Sequence, residues 1–123
     1  MSTATKIKWK PEPESHDYPA ALSYLNLIFD DKLAKEYENK LKQAVITEFK
    51  AKDIFRASSL SLLGPENYHV KANIKKIKNK ENLVPILLVR HATLGKTIIA
   101  DGYHRLCAVY SFSEDALIPC KIV

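Results

Sequence analysis

The run Ile98-Ile99-Ala100-Asp101-Gly102-Tyr103-His104-Arg105-Leu106-Cys107-Ala108 governs the reading of the whole chain. A short apolar strand, Ile98 to Ala100, ends in an acid and a glycine, and a helical pattern begins at once. Gly102 has no Cβ, so the backbone can turn tightly there and a ligand can come close. A helix start leaves N–H groups without intrahelical partners at the positive end of the helix dipole. His104 and Arg105 add donors and charge at the same place. Strand, glycine turn and basic helix start together suit an anion, above all a phosphate.

Working outward, Leu83 to Arg90 is a mostly apolar strand with Pro85 near its start, where a missing N–H is tolerable. His91-Ala92-Thr93-Leu94-Gly95 is expected to be a hairpin loop leading to a strand at Thr97–Ala100. The motif helix is expected over Tyr103–Phe112, and Ile118–Val123 is expected to close the sheet. Upstream, Val45-Ile46-Thr47-Glu48-Phe49 alternates and is β-branched, which predicts a strand. Asp53–Ala57 reads as a short helical turn, and Gly64-Pro65 as a break. A helix then runs from about Glu66 to Lys78, with Val70, Ile74 and Ile77 as its buried stripe. Its lysines, Lys71, Lys75, Lys76 and Lys78, are expected on a solvated face; His16, His69 and His91 suggest nothing specific.

Residues 1–16 read as an extended, mobile arm in which Trp9 has reason to dock on the body. Residues 17–123 read as a single domain, with 17–43 a helical hairpin extension and 45–123 the core. Asp17 is the expected N-cap of the first helix, with Pro19 in its first turn. Leu22, Leu25 and Phe29 form a stripe that Tyr24, Leu27 and Ile28 widen. Asp30-Asp31 separates it from, and is expected to cap, a second helix carrying Leu33, Tyr37 and Leu41. Acid-before-base pairs four apart, such as Asp31/Lys35, support the exposed face. The hairpin is expected to cover the sheet, with a partner surface as the alternative. The class is α+β, a small mixed sheet with packed helices.

The stretch Asp101-Gly102-Tyr103-His104-Arg105 resembles the signature of the ParB/sulfiredoxin superfamily, whose members carry Gly-Cys-His-Arg, Gly-Glu-Arg-Arg or Asp-Gly-His versions at a strand-to-helix turn. Val84-Pro85-Ile86-Leu87-Leu88-Val89 resembles the family's Pro-Ile strand, and Ile118-Pro119-Cys120-Lys121-Ile122-Val123 its closing strand. The resemblance covers about residues 45–123. It implies a ParB/sulfiredoxin-like fold and a nucleotide (ATP, ADP or CTP, with Mg²⁺) or another phosphate ligand held by Gly102, Tyr103, His104 and Arg105. Arg56 and Asp53 fall where the superfamily has nucleotide-contacting residues. NTP hydrolysis or phosphoryl transfer is then expected, with Asp101 as a catalytic residue or Mg²⁺ ligand and Glu48 as a candidate base. Tyr103 stands where sulfiredoxins have their reactive cysteine, so sulfinate repair is not expected. The sequence ends on the closing strand, without ParB's downstream DNA-binding helices, so a centromere reader is not expected either.

For Asp101, capping the motif helix is the simpler role. A non-catalytic protein- or nucleic-acid-binding module on the same fold is the main alternative. A ParB-like nuclease is a weaker one, because no carboxylates cluster for metal-assisted cleavage. The net charge of +5 over 123 residues favours acidic partners such as nucleotides or phosphorylated metabolites. A nucleic acid is less expected, for want of interleaved aromatics. No apolar run spans a membrane and no apolar-centred signal opens the chain, so a cytoplasmic location is expected. Cys107 and Cys120 sit in apolar segments and are expected to be buried core thiols.

Overall fold

The structure, a computed structural model, describes residues 6–123; the first five residues of the expected arm lie outside them. The elements run β1 (Lys8–Trp9), α1 (Asp17–Leu25), α2 (Asp31–Gln43), β2 (Thr47–Lys50), α3 (Ala51–Ser58), α4 (Tyr68–Lys78), β3 (Asn82–Leu83), β4 (Ile86–His91), β5 (Lys96–Asp101), α5 (Tyr103–Phe112) and β6 (Leu117–Ile122). The protein is α+β. Four strands form a mixed sheet in the order β2-β6-β4-β5, with β4 and β6 parallel and the other pairs antiparallel.

Strand alternation gives the sheet two apolar faces. Ile86, Leu88, Ile99, Ile118 and Cys120 face α3, α4 and α5, and meet Ile54, Val70, Ile77, Leu106 and Val109. Leu87, Val89 and Ala100 face the other way and are covered by Ala21, Leu25, Ala34 and Leu41 of the helical hairpin. The hairpin therefore forms the third layer. Both cysteines are buried, as their surroundings predict.

Several local expectations shift. The predicted strand 83–90 is two strands, β3 and β4, in different sheets. Pro85 lacks the N–H that would continue a ladder, and the chain jogs at Val84-Pro85. The turn at 53–57 grows into the two-turn α3. Tyr24, Leu27 and Ile28 are exposed and do not widen the buried stripe of α1; the smaller Ala21 does. Asp30 caps α2 as expected, accepting the Leu33 N–H at 2.8 Å. Asp17 is not an N-cap. His16 occupies that position, and Asp17 is the first helical residue, its buried carboxylate accepting the Glu14 N–H at 2.8 Å.

The segment expected to be a mobile arm is docked. Lys8 and Trp9 pair in parallel with Asn82 and Leu83, and the Lys10 N–H continues the ladder to the Leu83 carbonyl at 2.7 Å. Trp9 packs against the core, as its apolar bulk demands. A second tie is Lys121, only 3% exposed on the hairpin side of β6. Its ammonium donates to the Lys42 carbonyl at 3.1 Å, pairs with Glu12 at 3.3 Å and lies 5.5 Å from the centre of the Tyr18 ring. Arm, α1, α2 and sheet thus meet at one cation. No helix among the described residues is long and apolar enough to cross a membrane.

Burial works against the Lys121 charge, but Tyr18 and Glu12 outweigh it and hold the amine above its ordinary 10.5. The tie is therefore complete below that pH and is lost as pH rises through the higher folded value. Lys121→Met leaves the Lys42 carbonyl without its donor and should destabilise the fold by about 1–3 kcal/mol. Urea midpoints at neutral pH test this, and the gap to wild type should narrow above pH 10.5. An unchanged midpoint would mean that only the aliphatic stem matters.

Candidate functional site

The strand end, the glycine turn and the start of α5 open into a cleft of about 760 Å³, within the ordinary size of small-molecule sites. Its lining runs from Asp101 through Arg105 on one side to His69, Asn73, Lys76 and Lys80 on another. Those four α4-side residues recur at three- and four-residue spacing, so one face of the helix and its end looks into the cleft. The arm supplies the remaining wall with Lys10, Glu14, His16 and Asp17.

Gly102 caps α5 with φ +109°, a conformation that L side chains rarely adopt. A Cβ there would stand 2.4 Å from Ile86 Cγ2, so the glycine lets the turn cross over β4. The close approach that the glycine permits is to the protein's own Ile86. No side chain caps α5. The leading N–H groups of α5, which no intrahelical carbonyl can accept, belong to residues of the cleft wall.

Arg105 is the joint of the site. Its Nη1 donates to the carbonyls of Val84 and Pro85 at 2.7 and 3.2 Å, fixing the jog between β3 and β4. Its Nη2 lies 3.6 Å from Asp101 Oδ2. Much of the guanidinium is therefore committed to the fold, and a free bidentate grip on a phosphate is not what this geometry offers. Asp101 does not cap α5; its carboxylate turns to Arg105 instead. Its Oδ2 is buried with no hydrogen-bond donor. Burial pushes the Asp101 carboxyl above its usual range; Arg105 pulls it back, and the carboxylate of Asp17 adds to the rise.

His104 faces His69, their ring centroids 4.8 Å apart. Burial, and then His69, hold the His104 imidazole below its ordinary 6.5. The Tyr103 hydroxyl donates to the Ser61 carbonyl and tethers the segment between α3 and α4 to the start of α5. Burial raises that phenol, with Cys107 adding to the effect.

Two of the expected residues stand away from the cleft. Glu48 is an exposed residue of the edge strand β2, opposite Pro119, and Arg56 is exposed on α3 beside Asp53 at 3.9 Å. Neither lines the cleft. Most of the other lining residues were not singled out as site residues, among them Asp17, His69, Lys76 and Lys80. The spacing of His69, Asn73 and Lys76 on a helix with a known buried stripe was the available signal. Asp17 had none beyond its helix-start position. Among the described residues no three His, Cys, Asp or Glu side chains gather as a metal cage. Asp17, Asp101 and Glu14 are the buried or half-buried carboxylates that line the cleft, Glu14 being paired with Lys10. No family model matches the chain, nor does any curated protein or solved structure.

Gly102→Ala combines left-handed strain with a clash against Ile86 and should destabilise by about 2–4 kcal/mol. A denaturant midpoint equal to wild type would contradict this account of the turn. The His104 ring is favoured neutral, so its contribution to stability is complete above 6.5 and declines as pH falls below that value. Proton NMR should place its titration midpoint below 6.5, and His69→Asn should move that midpoint upward. A midpoint indifferent to His69 would show that the pair is not coupled.

Proposed function

We propose that the cleft at the Gly102 turn binds a nucleotide or another phosphate-bearing small molecule, on a ParB/sulfiredoxin-like core. One observation carries the reading: the uncapped start of α5 opens onto the same cleft as the Lys76 and Lys80 side of α4. Anions gain from both the helix dipole and the lysines there. His104 and His69 add ring N–H donors. The order of Pro-Ile strand, strand, motif helix and closing strand, paired within one sheet, supports the family reading.

In this reading the contacts divide differently from a simple motif. Residues 103–105 offer backbone amides, and Lys76, Lys80, His69 and His104 offer side chains. Arg105 holds the jog at Val84-Pro85 and positions Asp101, and through them the shape of the cleft. Any phosphoryl transfer or hydrolysis would draw its base from Asp101, Asp17 or His104, because Glu48 is remote from the cleft.

The test is a thermal-shift panel of ATP, ADP, CTP, GTP and pyrophosphate, with and without Mg²⁺, because the sequence points to Asp101 as an Mg²⁺ ligand. A ligand at about a hundred times its dissociation constant should stabilise the fold by roughly 2.7 kcal/mol. Arg105→Ala is a poor control, since it also frees two backbone carbonyls. The double variant Lys76→Gln/Lys80→Gln, both exposed, should keep the fold and lose at least tenfold in affinity. No shift with any of the five compounds would overturn the reading.

A further inference from the structure

His69 and His104 come from different helices and meet at the cleft. Each is the second residue of its helix, α4 and α5 respectively. The two helices pack on each other within one apolar cluster that includes Val70, Ile77, Leu106 and Val109, so the core fixes the backbone under both histidines. Both side chains line the cleft, His69 exposed and His104 half-buried. Their ring centroids are 4.8 Å apart and the rings are tilted by 45°. Hydrogen bonds at this spot go elsewhere. Asn73 Nδ2 donates to the His69 carbonyl at 2.8 Å, and the Tyr103 hydroxyl donates to the Ser61 carbonyl. His91 Nδ1 accepts the Leu94 N–H and His16 stands beside Asp17, but neither kind of partner has a counterpart at the rings of His69 and His104 among the described residues.

We propose that His69 and His104 form a two-histidine site for a divalent transition ion of the Zn²⁺ class, its remaining coordination positions open to the cleft. The ring separation carries the argument. A nitrogen-to-metal bond of about 2.0–2.1 Å, added to the roughly 1.1 Å from ring centre to nitrogen, puts the ion about 3.2 Å from each centroid. At ligand angles between about 90° and 109° the two centroids are then roughly 4.5–5.2 Å apart. The observed 4.8 Å falls inside that range. The χ2 torsion of histidine is soft. With no hydrogen bond to break, both rings can turn a nitrogen toward a shared point without moving either helix. The ligand type selects the metal: imidazole suits Zn²⁺, Ni²⁺ and Cu²⁺, whereas Mg²⁺ and Ca²⁺ prefer oxygen. Charge does not oppose a cation here, because four cationic and four acidic side chains line the cleft. Lys76 lies seven residues beyond His69, about 10 Å along the helix axis. With two protein ligands the site is an open one, completed by water or an anionic oxygen. The site stands apart from the phosphate reading, in which the same rings act as donors; a bound ion would meet the anion in their place.

Calorimetric titration of the full, untagged chain with Zn²⁺, Ni²⁺ and Co²⁺ in phosphate-free buffer tests the site. One ion should bind per chain, EDTA should reverse the binding, and Mg²⁺ should not compete. His69→Asn and His104→Asn should each lower the affinity at least about tenfold, the loss that even an outer-shell partner can cost. His91→Asn, whose ring stacks on Phe29 outside the cleft, should leave it unchanged. Proton NMR of wild type supplies a second measurement that needs no variant. Substoichiometric Co²⁺ should broaden the ring protons of His69 and His104 together, ahead of those of His16 and His91. Broadening that spares either ring, or a Zn²⁺ affinity indifferent to both substitutions, would overturn the proposal and leave the pair as a packing contact. Absence of binding by all three ions would overturn it too. Because the probe is the metal alone, neither result depends on whether a phosphate compound binds.

Discussion

The contact between Arg105 and the backbone at Val84-Pro85 orders the region around the cleft. A proline cannot donate to a ladder, so the segment entering β4 has carbonyls to satisfy and a direction to change. One guanidinium answers both needs from the first turn of α5. That anchors the motif helix to the strand it follows in space. The crossing is possible only because Gly102, wedged against Ile86, has no Cβ. With the turn so fixed, Asp101 is turned toward Arg105, the α5 amides look outward, and β3 is placed where Trp9 and Lys8 can pair with it. The wall formed by the arm is therefore a consequence of the same joint.

Charge is distributed with equal economy. On the hairpin side, Lys121 points into the layer between β6 and the helices, a position where alternation demands an apolar residue. It survives because Lys42, Glu12 and Tyr18 surround the ammonium. On the cleft side the charges pair more loosely: the Arg105 guanidinium stands 3.6 Å from Asp101, and the exposed His16 ring 3.5 Å from Asp17. Loose pairing in a cleft is a place where a ligand has something to contribute, whereas the closed arrangement at Lys121 is structural.

Basic residues near a helix start do not always grip an anion. Arg105 reads as a phosphate fork in the sequence, but its Nη1 is turned to its own backbone and its Nη2 stands beside Asp101. The groups left for a ligand are the less conspicuous ones: main-chain amides, the exposed lysines of α4 and the paired rings of His69 and His104. In the proposed function it is these groups, rather than Arg105, that would attract the anion.

Local pattern determined a great deal. The apolar runs around Leu87 and Ile99, the break at Gly64-Pro65, the acid cap at Asp30 and the strand–glycine–helix turn are all near-neighbour effects, and they define the α+β class and the place of the cleft. The helical hairpin was equally legible, because Leu25 and Leu41 fall on helical stripes. What only the tertiary structure decided depends on residues far apart in sequence. Parallel pairing of Lys8 and Trp9 with Asn82 and Leu83 cannot be read locally, since short strands carry almost no pattern of their own. Glu48 and Arg56 precede the motif at a plausible distance, yet β2 lies at the far edge of the sheet and α3 turns Arg56 to solvent. Asp17 and His69 meet the site for the converse reason. Packing of α1 and α4 against β5 and α5 brings them beside Asp101 and His104, and that packing is fixed by buried apolar faces whose sequence says nothing about the polar residues carried on their margins.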